Sequence, residues 1–295
     1  MHHSFHAGCE VSDHFMNISQ FTPELEPASW DFFRATIKER HWNSVKELIP
    51  DLYEKVDAEE SKGFYGYEKA LHLKKSGDRV LTVYKGGNSG TVCLESSGSM
   101  SGTLRDMLLA SRVDFRPSRM DACLDYDEEG LADALLSFGL AFAADNDLKI
   151  NQQGDWHRGR ARTLYIGSRS SPVFLRIYEK GHKAIDEGSE TASPHWVRIE
   201  VEVKPDKRRR AEFAFLEPSS LFCCGWVSSF MSNLFVQDLA RVPVGYRRVQ
   251  TTDARQKRWM IKACRKIMLS WMNEFDSPEE WGRHMSELAE KQETF

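Results

Sequence analysis

Apolar and polar residues alternate one by one through Thr163-Leu-Tyr-Ile-Gly and Phe174-Leu-Arg-Ile-Tyr-Glu-Lys, and again through Trp196-Val-Arg-Ile-Glu-Val-Glu-Val-Lys. A period of two predicts strands that bury one face and present the other. Leu175, Ile177, Ile199, Val201 and Val203 form the buried set. Arg176, Tyr178 and Lys180, with Arg198, Glu200, Glu202 and Lys204, form the presented one. Ser118 to Asp127 repeats the pattern, with Arg119, Asp121, Cys123 and Asp125 on one side and Met120, Ala122 and Leu124 on the other. Residues 67–73, 79–85 and 90–95 predict an antiparallel meander, because Ser76-Gly-Asp and Gly86-Gly-Asn-Ser-Gly are strong turn signals. The charged stretch Asp57 to Lys62 reads as a turn.

Helical spacing appears elsewhere. Leu131, Leu135, Leu136, Phe138 and Leu140 predict a helix from Leu131 to Phe142, and Leu104, Met107, Leu108 and Leu109 a shorter one. Ser29 stands at a capping position before Trp30, Phe33, Ile37 and Trp42, which predicts a helical opening to about Lys55, broken at Pro50. From Ser219 onward the chain reads as mostly helical. The order implies an α+β fold: an antiparallel-rich central sheet with helices packed on one face, and helical N- and C-terminal additions. The expected division is a flexible N-terminus and helical extension over 1–56, a sheet domain over 57–218, and a helical region over 219–295. A weak internal echo links Gly63-Phe-Tyr-Gly-Tyr and Val92-Cys-Leu-Glu to Tyr165-Ile-Gly-Ser and Val197-Arg-Ile-Glu.

Composition narrows the function. With 295 residues and a net charge of −4, the chain does not coat nucleic acid wholesale, so any such contact is local. Two basic stretches qualify. Lys207, Arg208, Arg209 and Arg210 form one; Arg247, Arg248, Arg255, Lys257, Arg258, Lys262, Arg265 and Lys266, interleaved with Trp259, Ile261, Ile267, Leu269 and Trp271, predict a helix with a DNA-facing side. The six cysteines, at 9, 93, 123, 223, 224 and 264, lack metal-ligand spacing and predict reduced thiols in a cytoplasmic protein. No apolar run approaches the roughly 20 residues that span a bilayer, so no membrane role is expected. His2, His3 and His6 are irregularly spaced and are assigned no role.

A phenol, cations and carboxylates gathered on one sheet face suit phosphoryl chemistry. Each has a plainer reading. Tyr178 also reads as a half-buried strand tyrosine, Glu200 and Glu202 as cross-strand partners of Arg or Lys, and Asp121 as an ion pair with Arg119 or Arg198.

Assembled in order, Gly63-Phe-Tyr-Gly-Tyr with Val92-Cys-Leu-Glu-Ser-Ser-Gly, then Arg119-Met-Asp-Ala-Cys-Leu-Asp, then Thr163-Leu-Tyr-Ile-Gly-Ser-Arg-Ser-Ser with Arg176-Ile-Tyr-Glu-Lys, then Trp196-Val-Arg-Ile-Glu-Val-Glu, resemble the Rep_trans-type rolling-circle replication initiators of plasmids and filamentous phages. Thr252-Asp-Ala-Arg with Trp259 resembles that family's C-terminal helix, so the resemblance spans about residues 63 to 275. It implies an HUH-relaxase-like core, although this chain has no His-hydrophobic-His motif. It further implies that Tyr178, helped by Arg176 and Lys180, nicks and rejoins one origin strand through a 5′-phosphotyrosine. A divalent Mg²⁺ or Mn²⁺ would be held by Asp121 and Glu200, with Asp125 and Glu202 as second choices. Arg169, Arg198, Lys207, Arg208, Arg209, Arg210, Arg255 and Arg258 are the expected DNA contacts. The implied partners are a single-stranded or cruciform origin, a host helicase and a second copy of the chain, in a bacterial cytoplasm. The family often begins its domain with an apolar-aspartate strand, for which His14-Phe-Met-Asn-Ile-Ser-Gln-Phe is the nearest candidate. The other readings are a non-catalytic, sequence-specific DNA-binding regulator on the same fold and a metal nuclease that uses water.

Overall fold

The strands found in the computed structural model are β1 (Ser29–Lys38), β2 (Asp57–Lys62), β3 (Tyr67–Lys75), β4 (Asp78–Gly87), β5 (Thr91–Ser97), β6 (Phe115–Asp127), β7 (Ile150–Asp155), β8 (Arg160–Gly167), β9 (Val173–Tyr178) and β10 (Trp196–Val203). They form one ten-stranded sheet in the order β2-β3-β4-β5-β1-β6-β10-β9-β8-β7, antiparallel at every pairing. The structure describes residues 28–48, 57–88, 90–235, 241–245, 257, 265 and 267–292. The chain divides after residue 247 into two compact units, the sheet belonging to the first.

Between and after the strands come α1 (Trp42–Glu47), α2 (Met100–Ala110), α3 (Leu131–Asp145), α4 (Lys180–Asp186), α5 (Arg210–Phe213), α6 (Pro218–Leu221) and α7 (Val227–Phe235). Leu164, Ile166, Leu175, Ile177, Ile199 and Val201 are completely buried on the apolar face. Each leucine or isoleucine so buried contributes about 1.5–3 kcal/mol. α3 packs on β8, β9 and β10, and α2 on β1 and β5. At Gly139 a β-carbon would lie 2.9 Å from the methyls of both Ile177 and Leu164, so glycine lets α3 sit directly beneath the strand that carries Tyr178. Phe138 and Phe142 of α3 close the layer by packing edge-on against Phe230 of α7. In the second unit, α8 (Pro278–Gln292) brings His284 against Phe275, ring centroids 5.1 Å apart.

Residues 29–38, expected as the start of a helix, are instead a central strand. Phe33, Ala35 and Ile37 are buried at spacing two, and β1 is paired on both sides, by β5 and β6. The segment carries both periods, since Phe33 and Ile37 fit either, and the two neighbouring strands decide between them. Ser29 does not cap; its hydroxyl lies 3.2 Å from the Cys123 thiol. Among the described residues the predicted helix survives as the turn Glu39–His41 and α1, while Pro50, Lys55 and the first-strand candidate His14–Phe21 lie outside them. Asp57–Lys62, expected as a turn, is edge strand β2, fully exposed, where charge guards an unpaired edge. The opposite edge, β7, was likewise not expected.

The sheet order maps onto itself when β1 to β5 are matched with β6 to β10. In that match, Val92-Cys-Leu-Glu on β5 corresponds to Val197-Arg-Ile-Glu on β10, the pair noted as an echo in the sequence. The registers agree: Tyr84 lies opposite Cys93 as Tyr178 lies opposite Arg198, and Thr82 opposite Glu95 as Arg176 lies opposite Glu200.

Candidate active site

Directly opposed residues of antiparallel strands share a face. Arg198 opposes both Tyr178 and Asp125; Glu200 opposes Arg176 and Cys123; Glu202 opposes Phe174 and Asp121. Tyr178, Asp121 and Glu200 therefore converge on the face opposite the α3 layer, and Arg176, Arg198, Asp125 and Glu202 join them. A cleft of about 420 Å³ opens there, lined by Asp31, Phe32, Arg119, Asp121, Arg176, Tyr178, Lys180, Lys183 and Glu200 among others.

The Tyr178 hydroxyl donates to Glu200 Oε2 at 3.2 Å. The other oxygen of Glu200 meets Arg176 Nη2 at 2.6 Å, and the same nitrogen reaches Asp121 at 2.9 Å and Glu202 at 3.4 Å. Arg119 holds Asp121 with two contacts, of 2.9 and 2.5 Å, and Glu202 with a third at 3.0 Å. Lys204 also pairs with Glu202. Arg198 grips Asp125 with two contacts of 2.7 Å and Asp31 with one of 2.6 Å, while the Trp196 indole donates to Asp125 at 2.8 Å. Five carboxylates thus meet four cations and leave one negative charge in the network.

The surplus bears on Glu200, which is 4 % exposed. Burial, reinforced by Asp31 and Asp121 against the pull of Arg176, lifts its carboxyl from the usual 4.5 to about 7. Burial first, and then the charge of Glu200, push the Tyr178 phenol well above the ordinary tyrosine value. Burial also raises Asp121, although Arg119 opposes it. Glu202 goes the other way: burial acts to raise it, but Arg119, Lys204 and Arg176 together hold it below the usual range. The phenol is neutral at rest, beside a carboxyl whose proton equilibrium falls near neutrality.

All four expected ligands of a divalent cation, Asp121, Glu200, Asp125 and Glu202, have guanidinium partners. Among the described residues no set of three or more His, Cys, Asp or Glu side chains is arranged to enclose a metal ion. Hard carboxylate oxygens do line the cleft at Glu200 and Asp31, whose mutual repulsion helps to raise Glu200. Oxygen is the donor that a divalent cation takes, and each of these two carboxylates also has a guanidinium at 2.6 Å, Arg176 on Glu200 and Arg198 on Asp31. Asp31 was not anticipated. It sits where the β1–β6 register slips between Trp30 and Phe32, which turns its carboxylate toward Arg198. The signal available was Trp-Asp-Phe-Phe itself, an apolar-aspartate strand about 15 residues after the segment first considered.

Lys180 was expected on the strand with Tyr178, but β9 ends at Tyr178 and Lys180 opens α4. It nevertheless returns to the site, with its ammonium 6.0 Å from the Tyr178 ring and 5.7 Å from that of Trp196. Gly181 makes this turn feasible, since a β-carbon there would lie 1.8 Å from the Ser193 carbonyl oxygen. Glu179 points away from the cleft and takes three hydrogen bonds from Arg162.

Of the expected DNA contacts, Arg169, Lys207 and Arg208 are exposed. Arg209 pairs with Glu212, and Arg210 lines a basic recess with Lys204 and Lys207. Arg198 is taken up by Asp31 and Asp125, and Arg255 and Arg258 lie outside the described residues. The described cysteines, Cys93, Cys123, Cys223 and Cys224, are free thiols. Among the described residues no helix is long and apolar enough to cross a membrane.

The cleft thus brings a sheet-borne tyrosine together with arginines and carboxylates. The family model of the replication initiation factors, Rep_trans, matches residues 136–287, just over half of the chain, and the chain belongs to that family. The matched range contains Arg176, Tyr178, Lys180, Glu200 and Glu202. A comparison with curated proteins returns no match. Among solved structures, a rolling circle replication initiator protein from Geobacillus stearothermophilus is similar at 18% identity and a TM-score of 0.48, over 79% of this chain and 91% of that one.

Proposed function

We propose that this replication initiation factor begins rolling-circle replication by nicking one strand of its origin, single-stranded or extruded as a cruciform, and later rejoins it, with Tyr178 as the nucleophile. The observation that carries the proposal is the hydrogen bond from the Tyr178 hydroxyl to Glu200, 3.2 Å long, inside a cleft walled by Arg176, Arg119 and Lys180.

A buried phenol does not attack phosphorus until its proton has somewhere to go. Glu200, with a proton equilibrium near neutrality, is suited to take it. As the Tyr178 oxygen bonds to phosphorus, the bond from phosphorus to the 3′-oxygen breaks. The 3′-oxygen takes a proton from water and leaves as a free hydroxyl, Glu200 keeps the phenol proton until solvent removes it, and the 5′-phosphate stays on Tyr178 as a phosphodiester. That hydroxyl primes synthesis, and the conserved bond energy allows the reverse attack to rejoin the strand. Arg176 and Lys180 face the charge that builds on the phosphoryl oxygens. Were a Mg²⁺ or Mn²⁺ ion bound, Asp31 and an ionised Glu200 would hold it, and the ion, in place of the Glu200 carboxylate, would favour the phenolate and neutralise the phosphate. Exposed Arg169, Lys207 and Arg208, with Arg255 and Arg258 from the second basic stretch, supply backbone contacts.

The test is incubation with labelled single-stranded oligonucleotides from the chain's own replicon and Mn²⁺. A denaturation-resistant protein–DNA adduct is expected, absent in Tyr178→Phe. Cleavage that persists in Tyr178→Phe would point to water as the nucleophile and overturn the proposal. The guanidinium pairing of Asp121, Asp125 and Glu202 favours a second reading, DNA binding without chemistry. Binding with no cleavage by the unaltered protein would select it.

A further inference from the structure

The turn Gly63-Phe-Tyr-Gly66, between β2 and β3, has no part in the nicking site, yet it is built at some cost. Tyr65 has φ of +57°, a left-handed conformation that a side chain disfavours. The ring is held there. Arg34 donates to its hydroxyl at 2.6 Å, and Asn88 donates to its backbone carbonyl at 3.2 Å. Tyr65 also sits edge-on against Tyr84, ring centroids 5.5 Å apart. In spite of these contacts Tyr65 is 54% exposed, and Phe64 beside it is 64% exposed.

The aromatic surface continues toward the cleft. The Arg34 guanidinium lies 4.2 Å from the Tyr65 ring and 5.2 Å from that of Phe32, and Arg119 lies 4.3 Å from Phe32. Phe32 and Arg119 line the cleft that contains Tyr178. Planar cations alternating with aromatic rings suit a flat π-system attached to an anionic backbone, which is the chemistry of an unpaired nucleobase.

The internal repeat favours the same reading. Tyr84 and Glu95 occupy the sheet positions that Tyr178 and Glu200 occupy in the other half, and Arg34 holds Glu95 at 2.7 Å as Arg176 holds Glu200 at 2.6 Å, but Tyr84 is only 4% exposed and is covered by Tyr65, whereas Tyr178 lines an open cleft. This half therefore offers a contact surface where the other offers a nucleophile. Tyr84 of β4, on which Tyr65 rests, stands five strand spacings from β9, about 24 Å. A stacked strand at about 3.4 Å per nucleotide covers that span in about seven nucleotides.

We propose that Phe64 and Tyr65, backed by Arg34 and Phe32, seat an unpaired base of the DNA strand whose phosphate is presented to Tyr178. The proposal rests on DNA being the substrate of that cleft. It is tested with the full chain by fluorescence anisotropy, using a labelled dT single strand of about 16 nucleotides and a duplex of equal length. Tyr65→Gly, which relieves the backbone while removing the ring, weakens single-strand binding by about 5- to 150-fold. Phe64→Ala acts in the same direction, Tyr65→Phe binds like the unaltered protein, and duplex binding changes little. Thermal melts show whether each variant is folded. Unchanged single-strand affinity in a folded Tyr65→Gly, Phe64→Ala double variant overturns the proposal. So does a loss of self-association with no loss of affinity, which would assign the patch to a second copy of the chain. Adduct formation at Tyr178 is scored separately. If the adduct forms while affinity ignores the rings, only the base seat fails; if the rings matter while no adduct forms, only the nicking reading fails.

Discussion

Replacing Glu200 with glutamine removes a charge that the fold disfavours and keeps the shape and an oxygen that can accept from Tyr178. In the unfolded chain this carboxyl ionises near 4.5, and in the folded chain near 7. Between those values the folded state holds a proton that the unfolded state has lost. The contribution to stability is therefore present below about pH 4.5 and is lost as the pH rises through about 7. At about 1.4 kcal/mol per pH unit, the loss amounts to about 3 kcal/mol. The raised value already includes the attraction of Arg176, so that contact is not subtracted again. Glu200→Gln should thus be more stable than the unaltered protein by up to about 3 kcal/mol at pH 8, and close to it at pH 5. Urea denaturation of both proteins across that range, followed by tryptophan fluorescence, measures the difference, and other titrating groups cancel in the comparison. A Glu200→Gln protein that is less stable at pH 8, or a difference that does not change with pH, would refute the view that the fold holds this carboxyl protonated. The same substitution should abolish the Tyr178 adduct, because the amide cannot take the phenol proton.

Arg198→Met leaves Asp31 and Asp125 facing one another without their shared cation. Because both carboxylates are partly exposed, the loss should be about 2–3 kcal/mol, below the range for fully buried pairs; a urea midpoint that hardly moves would contradict the pairing. Gly181→Ala sets a methyl against the Ser193 carbonyl and should destabilise by about 1–3 kcal/mol. Adduct formation should fall with it as Lys180 is displaced, which a time course would detect. Mn²⁺ should raise the melting temperature of the unaltered protein, the stabilisation approaching about 2.7 kcal/mol at a hundredfold excess over the dissociation constant. Asp31→Asn should lose most of that shift, and an equal shift in both proteins would remove Asp31 from the cation's shell.

The sequence by itself determined which residues of β6, β9 and β10 share a face, because side-chain direction along a strand is a local property with a period of two. Tyr178, Glu200 and Asp121 could therefore be placed together before any pairing was known. The echo between Val92-Cys-Leu-Glu and Val197-Arg-Ile-Glu was readable for the same reason. Residues 29–38 were not, since Phe33 and Ile37 satisfy both the helical and the extended period, and only burial between β5 and β6 selects the strand. Asp31 reaches the site through a slip in the register, which depends on the partner strand and leaves no mark on local spacing. Which guanidinium neutralises which carboxylate was likewise decided by cross-strand register. Sequence spacing pointed to several oxygens for a metal ion; tertiary pairing set an arginine against each of Asp121, Asp125, Glu200 and Glu202, and burial in a network with one surplus carboxylate favours the proton on Glu200, beside the tyrosine.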